Sequence, residues 1–183
     1  MFNLLIKSEI KLPNGAIREI GSRYQLPSSA VEDALSSYNR DDIPKIVPYP
    51  DAITSLETIL DGNKIILLVT TGRRNRQLAK VEQLGLSQFF EPNRNLFVHE
   101  PDSDHPTKKA EMLQALASAR LSPEECISIG DKLDSDVTVG NLIGMTTVRI
   151  RKGRQRNWDP STDEETPDHE IRELIELLGI LQL

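Results

Sequence analysis

Cys126-Ile127-Ser128-Ile129-Gly130-Asp131-Lys132-Leu133-Asp134-Ser135-Asp136 is the stretch whose reading decides the fold. It begins as a short apolar-leaning run, the mark of a buried parallel strand, and the run ends in Gly130-Asp131. In an open α/β sheet, ligands bind at the carboxyl ends of the strands. Two carboxylates delivered there, Asp131 at the strand tip and Asp136 about one helical turn on, supply half of a hard-cation site suited to Mg2+. The other half must come from elsewhere in the chain.

Outward from this stretch, strands and helices alternate. Lys64-Ile65-Ile66-Leu67-Leu68-Val69 is apolar without alternation, which predicts a strand covered on both faces, and it runs straight into Thr70-Thr71-Gly72. Leu96-Phe97-Val98 and 146–150 predict two more strands. Helices are predicted over 51–62, 74–84, 107–120 and 133–143, and Ile171, Leu174, Ile175 and Leu178 mark a closing one. Ser122-Pro123-Glu124-Glu125 is a capping turn that leads into the Cys126 strand. This alternation specifies βαβ units, and hence a parallel, Rossmann-like sheet between two helical layers.

Toward the amino terminus, residues 2–7 predict a first strand, which Ser8-Glu9 closes. Ile17, Ile20 and Tyr24 then begin a helical spacing. Ser29 and Glu32 form a capping box for a second amphipathic helix over 29–39. Pro44, Pro48 and Pro50 mark a linker returning to the main body. The chain therefore divides into a first core strand (1–12), a small helical layer (13–48) and an α/β core (49–183).

Composition narrows the function classes. Of 183 residues 38% are hydrophobic and 27% charged, ordinary values for a globular chain, and the net charge of −6 excludes a general nucleic-acid binder that works by counterion release. One cysteine, Cys126, excludes an internal disulfide and any multi-thiolate metal site; its place in an apolar run predicts a buried thiol. No apolar run approaches the roughly 18 residues of a membrane span, and the one at residues 2–7 is too short for a signal peptide. The expected location is cytoplasmic.

Three chemistry-bearing features fall at the ends of successive predicted strands. The Thr70 hydroxyl and the backbone N–H groups at Thr71 and Gly72 suit phosphoryl oxygens, Lys108 or Lys109 offsets their charge, and Asp131 with Asp136 suits Mg2+. Such a set at one sheet edge points to phosphate chemistry.

At these residues the chain resembles the haloacid dehalogenase superfamily of phosphohydrolases, from about Tyr49 onward. Leu67-Leu68-Val69-Thr70-Thr71-Gly72, Lys108-Lys109-Ala110-Glu111-Met112-Leu113 and Gly130-Asp131 with Asp136 match its later motifs, and Gly-Met-Thr-Thr-Val at 144–148 is also familiar. The resemblance implies a three-layer αβα sandwich in which 13–48 is a small helical cap, and a Mg2+-dependent phosphatase-like hydrolase. It further implies an Asp-x-Asp-x-Thr motif after the first strand, with an Asp nucleophile and an Asp general acid/base. Ser8-Glu9-Ile10-Lys11-Leu12 stands there instead, and no Asp precedes Asp33.

Ser8 lacks a base and Ile10 cannot carry a proton, so lost or strongly reduced catalysis and a weakened Mg2+ site are expected. A small phosphorylated molecule, or a protein partner in the same cleft, is the expected ligand. Asp102-Ser103-Asp104, flanked by His99 and His105, reads as a solvated loop. The basic run Arg149, Arg151, Lys152, Arg154 and Arg156 faces an acidic one at Asp159 to Glu170, which predicts mutual screening.

Overall fold

The computed structural model describes residues 15–38, 43–100 and 107–183. The strand expected at 2–7 lies outside them. The two amino-terminal helices are present as α1 (Gly15–Arg23) and α2 (Ser28–Tyr38). They pack closely at Gly21, where a Cβ would stand 2.4 Å from a Val31 methyl carbon.

The remainder is an α/β assembly of helices about parallel strands. It runs α3 (Ala52–Asp61), β1 (Leu68–Thr71), α4 (Arg74–Gln83), β2 (Leu96–His99), α5 (Lys109–Ala119), β3 (Ile127–Gly130), α6 (Thr138–Ile143), β4 (Thr146–Ile150), β5 (His169–Ile171) and α7 (Leu177–Leu181). Among the described residues the strands form two parallel sheets, β1–β2 and β3–β4–β5. Leu68 lies opposite Leu96, and Ile127 opposite Thr146. β4 is rich in β-branched residues, whose stiff side chains suit a pleated surface.

Two apolar clusters hold the layers. One gathers Ile59, Val148, Ile171 and Leu177; the other gathers Val81, Phe89, Phe90 and Leu96. α3 reaches both, with Ile59 in the first and Ile53 and Leu56 against the second, and Ile66 packs against each. Burying a side chain of this size stabilises by roughly 1.5–3 kcal/mol. α3 and Ile66 thus knit the two halves into one interior.

The observed elements differ from the expected ones in three places. β1 begins at Leu68, because Asn95 bonds this chain first: its carbonyl accepts the Leu68 amide at 2.8 Å, while its side chain donates to the Ile66 carbonyl at 3.3 Å. Leu68, Val69 and Thr70 are half-buried, since one paired neighbour covers them among the described residues. Ile171, assigned by its spacing to the closing helix, instead ends β5 and points into the core. Cys126 is partly buried, and burial first, then Glu125 and Glu124, push its thiol up.

Arg149 explains much of the carboxyl-terminal third. Its side chain is 0% exposed, so every donor it satisfies matters. Nη1 donates to Glu170, its cross-strand partner on β5, at 3.0 Å, and Nη2 donates to the carbonyls of Gln155 and Trp158, each at 2.7 Å. Arg151 also donates to Glu170, at 2.8 Å, and Lys152 to Glu173 at 2.7 Å. Burial raises the Glu170 carboxyl, but the hydrogen bonds and charges of Arg151 and Arg149 outweigh it and hold it below the usual range. Glu170 is thus the acid on which the basic run converges, through Arg149 and Arg151, with Asp159 3.8 Å from Arg151.

Arg149→Met is expected to destabilise the fold by about 2–4 kcal/mol, because it leaves the carbonyls of Gln155 and Trp158 without their donor. Urea unfolding at neutral pH checks this; a loss under about 0.5 kcal/mol, the size of an ordinary surface substitution, would contradict it.

Candidate active site

Asp136 stands on a turn wider than an α-helix. Beyond β3 the chain enters a π-type turn at Leu133–Val137, where the Lys132 carbonyl accepts both the Asp136 amide at 2.9 Å and the Val137 amide at 3.1 Å. Such widened turns recur at functional sites. This one folds Asp136 back over the strand end, where its Oδ2 accepts the Lys132 amide at 3.0 Å. A Cβ on residue 130 would lie 2.1 Å from that oxygen, so only glycine lets the carboxylate take this place.

The second oxygen of Asp136 meets the ammonium of Lys108. Both side chains are nearly enclosed, 10% exposed for Lys108 and 12% for Asp136. A cation before a helix opposes the macrodipole, and here the opposing carboxylate compensates it. Of the two adjacent lysines, Lys108 is the buried one; Lys109 is exposed. Because Lys108 leads into α5 and Asp136 follows β3, this pair joins the two sheets at the site.

Asp131 is half-buried beside them. The backbone of Gly153 lies against it, so close that a Cβ there would fall 2.0 Å from Asp131 Oδ2, and φ of +66° suits glycine as well. Burial first and the Asp136 charge second push the Asp131 carboxyl above its ordinary range, against weaker opposing pulls from Lys132, its own backbone hydrogen bond and Lys108. Gln155, 6% exposed, fastens the neighbouring loop: its side chain accepts the Leu133 amide at 2.7 Å and donates to Asp134 at 3.0 Å.

Thr70 belongs to a different hydrogen-bonded group. Its hydroxyl donates to Gln77 Oε1 at 3.2 Å, and Gln77 Nε2 donates to the Thr71 carbonyl at 3.1 Å. Thr71 is exposed, and Gly72, at φ +146°, turns the chain into α4. His99 closes β2 as a buried side chain with Nδ1 3.1 Å from Glu111, rather than sitting in a polar loop. Ser8, Asp102-Ser103-Asp104 and His105 lie outside the described residues. The roles of Gln77 and Gln155 carry no sequence signal, since neither sits in a spacing pattern; only the folded chain brings each to its partners.

Mg2+ prefers oxygen donors, keeps several waters and uses one or two carboxylates. Asp131 fits that requirement: it is an anionic oxygen donor whose surroundings leave its charge undercompensated, and it lines a cavity. Asp136 has both oxygens taken, by Lys108 and by the Lys132 amide, so what it holds here is the ammonium.

A HAD-hydrolase-like family model matches residues 107–177, the span that carries Lys108, Asp131 and Asp136. A glyceraldehyde 3-phosphate phosphatase of Methanopyrus kandleri is 32% identical over 152 residues, 83% of this chain and 64% of that protein. The crystal structure of a HAD phosphatase from Thermococcus onnurineus matches 73% of this chain and 57% of that one, at 32% identity and a TM-score of 0.58. Bacillus subtilis YfnB, solved bound to magnesium, shares the fold at 20% identity and a TM-score of 0.60 over 93% of this chain and 79% of that one. The chain thus spans less than two thirds of the Methanopyrus and Thermococcus proteins.

Two outcomes follow from the geometry. Lys108→Met should cost about 3–5 kcal/mol by leaving the Asp136 charge buried and alone, and the double variant with Asp136→Asn should recover part of it in a thermodynamic cycle. Because the Asp131 carboxyl is raised in the folded state, its contribution is fully present below about pH 4, its unfolded value, and is lost as pH rises through the folded one. Asp131→Asn should therefore raise the melting temperature at pH 7 without divalent metal, with the gain fading toward pH 3; equal melting at both pH values would refute this.

Proposed function

We propose that this chain, which belongs to the haloacid dehalogenase-like superfamily, retains the phosphate-side and metal-side half of a phosphomonoester hydrolase site and binds a small phosphorylated molecule with lost or strongly reduced turnover. The observation that carries the reading is the enclosed Lys108–Asp136 pair beside Asp131. Asp136 fixes the enclosed Lys108 ammonium in place, and a preorganised cation shielded from water stabilises phosphoryl oxygens far better than a solvated one. Asp131 would hold Mg2+, which when bound neutralises phosphate charge as a Lewis acid. Among the described residues this half-site offers anion compensation and orientation.

The missing contribution is covalent. In the resemblance the nucleophile and the acid/base position fall on Ser8 and Ile10, and an unactivated hydroxyl and an alkyl group supply neither role. The name of the Methanopyrus relative favours the other reading, an active phosphatase that draws on acids elsewhere. The net charge of −6 favours a small ligand over nucleic acid.

A generic aryl phosphate with Mg2+ discriminates the two readings. Turnover is expected at background level for the unaltered chain, and Ser8→Asp combined with Ile10→Asp is expected to raise it by about 100-fold or more. Clear turnover by the unaltered chain that Asp131→Asn abolishes would overturn lost catalysis and establish the active phosphatase.

A further inference from the structure

Three cations gather beside the site with no acid paired to them. Arg76 and Lys80 lie one turn apart on α4, where residues four apart share a face. That face is tied to the end of β1 through Gln77, three positions before Lys80, which accepts from the Thr70 hydroxyl at 3.2 Å and donates to the Thr71 carbonyl at 3.1 Å. Lys132 follows Asp131 directly, just beyond the end of β3. Burial first, then the charges of Arg76 and Lys132, hold the Lys80 ammonium below its ordinary range, so the α4 pair and Lys132 meet at one place.

The chain has 28 acids to 22 lysines and arginines, so partners for surface cations are plentiful. Yet among the described residues no carboxylate stands within ion-pairing distance of Arg76, Lys80 or Lys132. Acids of the adjoining elements are committed elsewhere: Glu100 accepts the Arg74 amide at 3.1 Å, and Asp136 holds Lys108. Lys80 is half-buried, and Arg76 Nε is shut off from water with no acceptor. Like charges four apart weaken a helix, and an enclosed donor without an acceptor weakens the fold further. An oxyanion among the three relieves both.

Every charge at this edge enters the count. Lys108 is matched by Asp136, and Asp131 feels Lys132 as well as Lys108. That leaves Arg76, Lys80 and Lys132 against Asp131, a positive excess, and a Mg2+ on Asp131 would enlarge it. Such an excess suits a phosphate dianion better than a carboxylate, and Arg76 adds a planar fork for its oxygens.

Resting on the phosphate-site reading above, we infer that Arg76, Lys80 and Lys132 form a second anion site, which takes a second phosphate group of the same ligand. The ligand class is thereby a small bisphosphate, with one phosphate at Lys108 and Asp131 and the other against α4.

Calorimetric titration in Mg2+ with α,ω-alkanediol monophosphates and bisphosphates of three to six carbons tests this without requiring turnover, because each pair differs in one phosphate alone. At the best-fitting length the bisphosphate should bind about tenfold or more tighter than its monophosphate, the size of one charge-assisted hydrogen bond. Its two equivalent ends account for only about twofold of that. Arg76→Gln combined with Lys80→Gln should bring the ratio down to that statistical value and leave monophosphate affinity unchanged. Glutamine is a good helix former, so α4 should persist. Should the α4 variant not fold, Lys132→Gln, at an exposed position, carries the test by lowering the same ratio.

Monophosphate binding with no bisphosphate preference at any length, or a preference that survives both the α4 variant and Lys132→Gln, would overturn the second site while leaving the phosphate site standing. An equal fall of both affinities in the variants would merge the three cations into the phosphate site and overturn the second site likewise. No binding of any member of the series would overturn the phosphate site, and the inference with it.

Discussion

The contact on which the rest depends is the enclosed ion pair between Lys108 and Asp136. It is made by residues that follow different strands of different sheets, so it forms only when both halves have folded and met. An ion pair taken out of water gains little net stability, because desolvation consumes most of its attraction. What it contributes is specification: with one partner missing, the other is a buried charge, and alternative arrangements of the halves are penalised. The apolar bridge through α3 and Ile66 supplies cohesion, and the pair sets register at the one edge where geometry matters for chemistry.

Much of this was legible from local patterns. The β3 strand, its Gly-Asp ending and the acid five residues on were readable because strand burial and turn chemistry act over a few residues. So was the capping turn at Ser122, whose reciprocal bonds with Glu125 are present. The choice between Lys108 and Lys109 was not readable, since adjacent residues differ only in the direction that tertiary packing gives them. Ile171 was misassigned for a related reason: Ile171, Leu174, Ile175 and Leu178 satisfy a helical spacing, yet pairing with β4 claims Ile171 for a strand. Asp136 showed its carboxylate but not its engagement, because Lys108 lies 28 positions away.

The loop after β4 shows how a basic stretch becomes architecture. Arg149 is read most simply as a surface cation, yet it is the most enclosed large side chain of the chain's described residues, and it draws two loop carbonyls onto itself. With Gln155 latched to the turn at Leu133, the loop carries Gly153 against Asp131. The same loop thereby reduces the solvation of that carboxylate and delivers Lys152 to the adjoining cavity. One structural device serves both stability and the site.

The close approach at Gly130 has an evolutionary corollary. A side chain at 130 and the folded-back carboxylate at 136 claim the same volume, so the two positions are not free to drift independently. Replacement of Gly130 is obstructed for as long as the acid remains and becomes tolerable once it is shortened or lost, whereas loss of the acid meets no such obstruction. Decay of this site therefore has a preferred direction: the carboxylate goes first and the glycine follows. For as long as the carboxylate serves as the anchor of Lys108, the glycine is held in place with it.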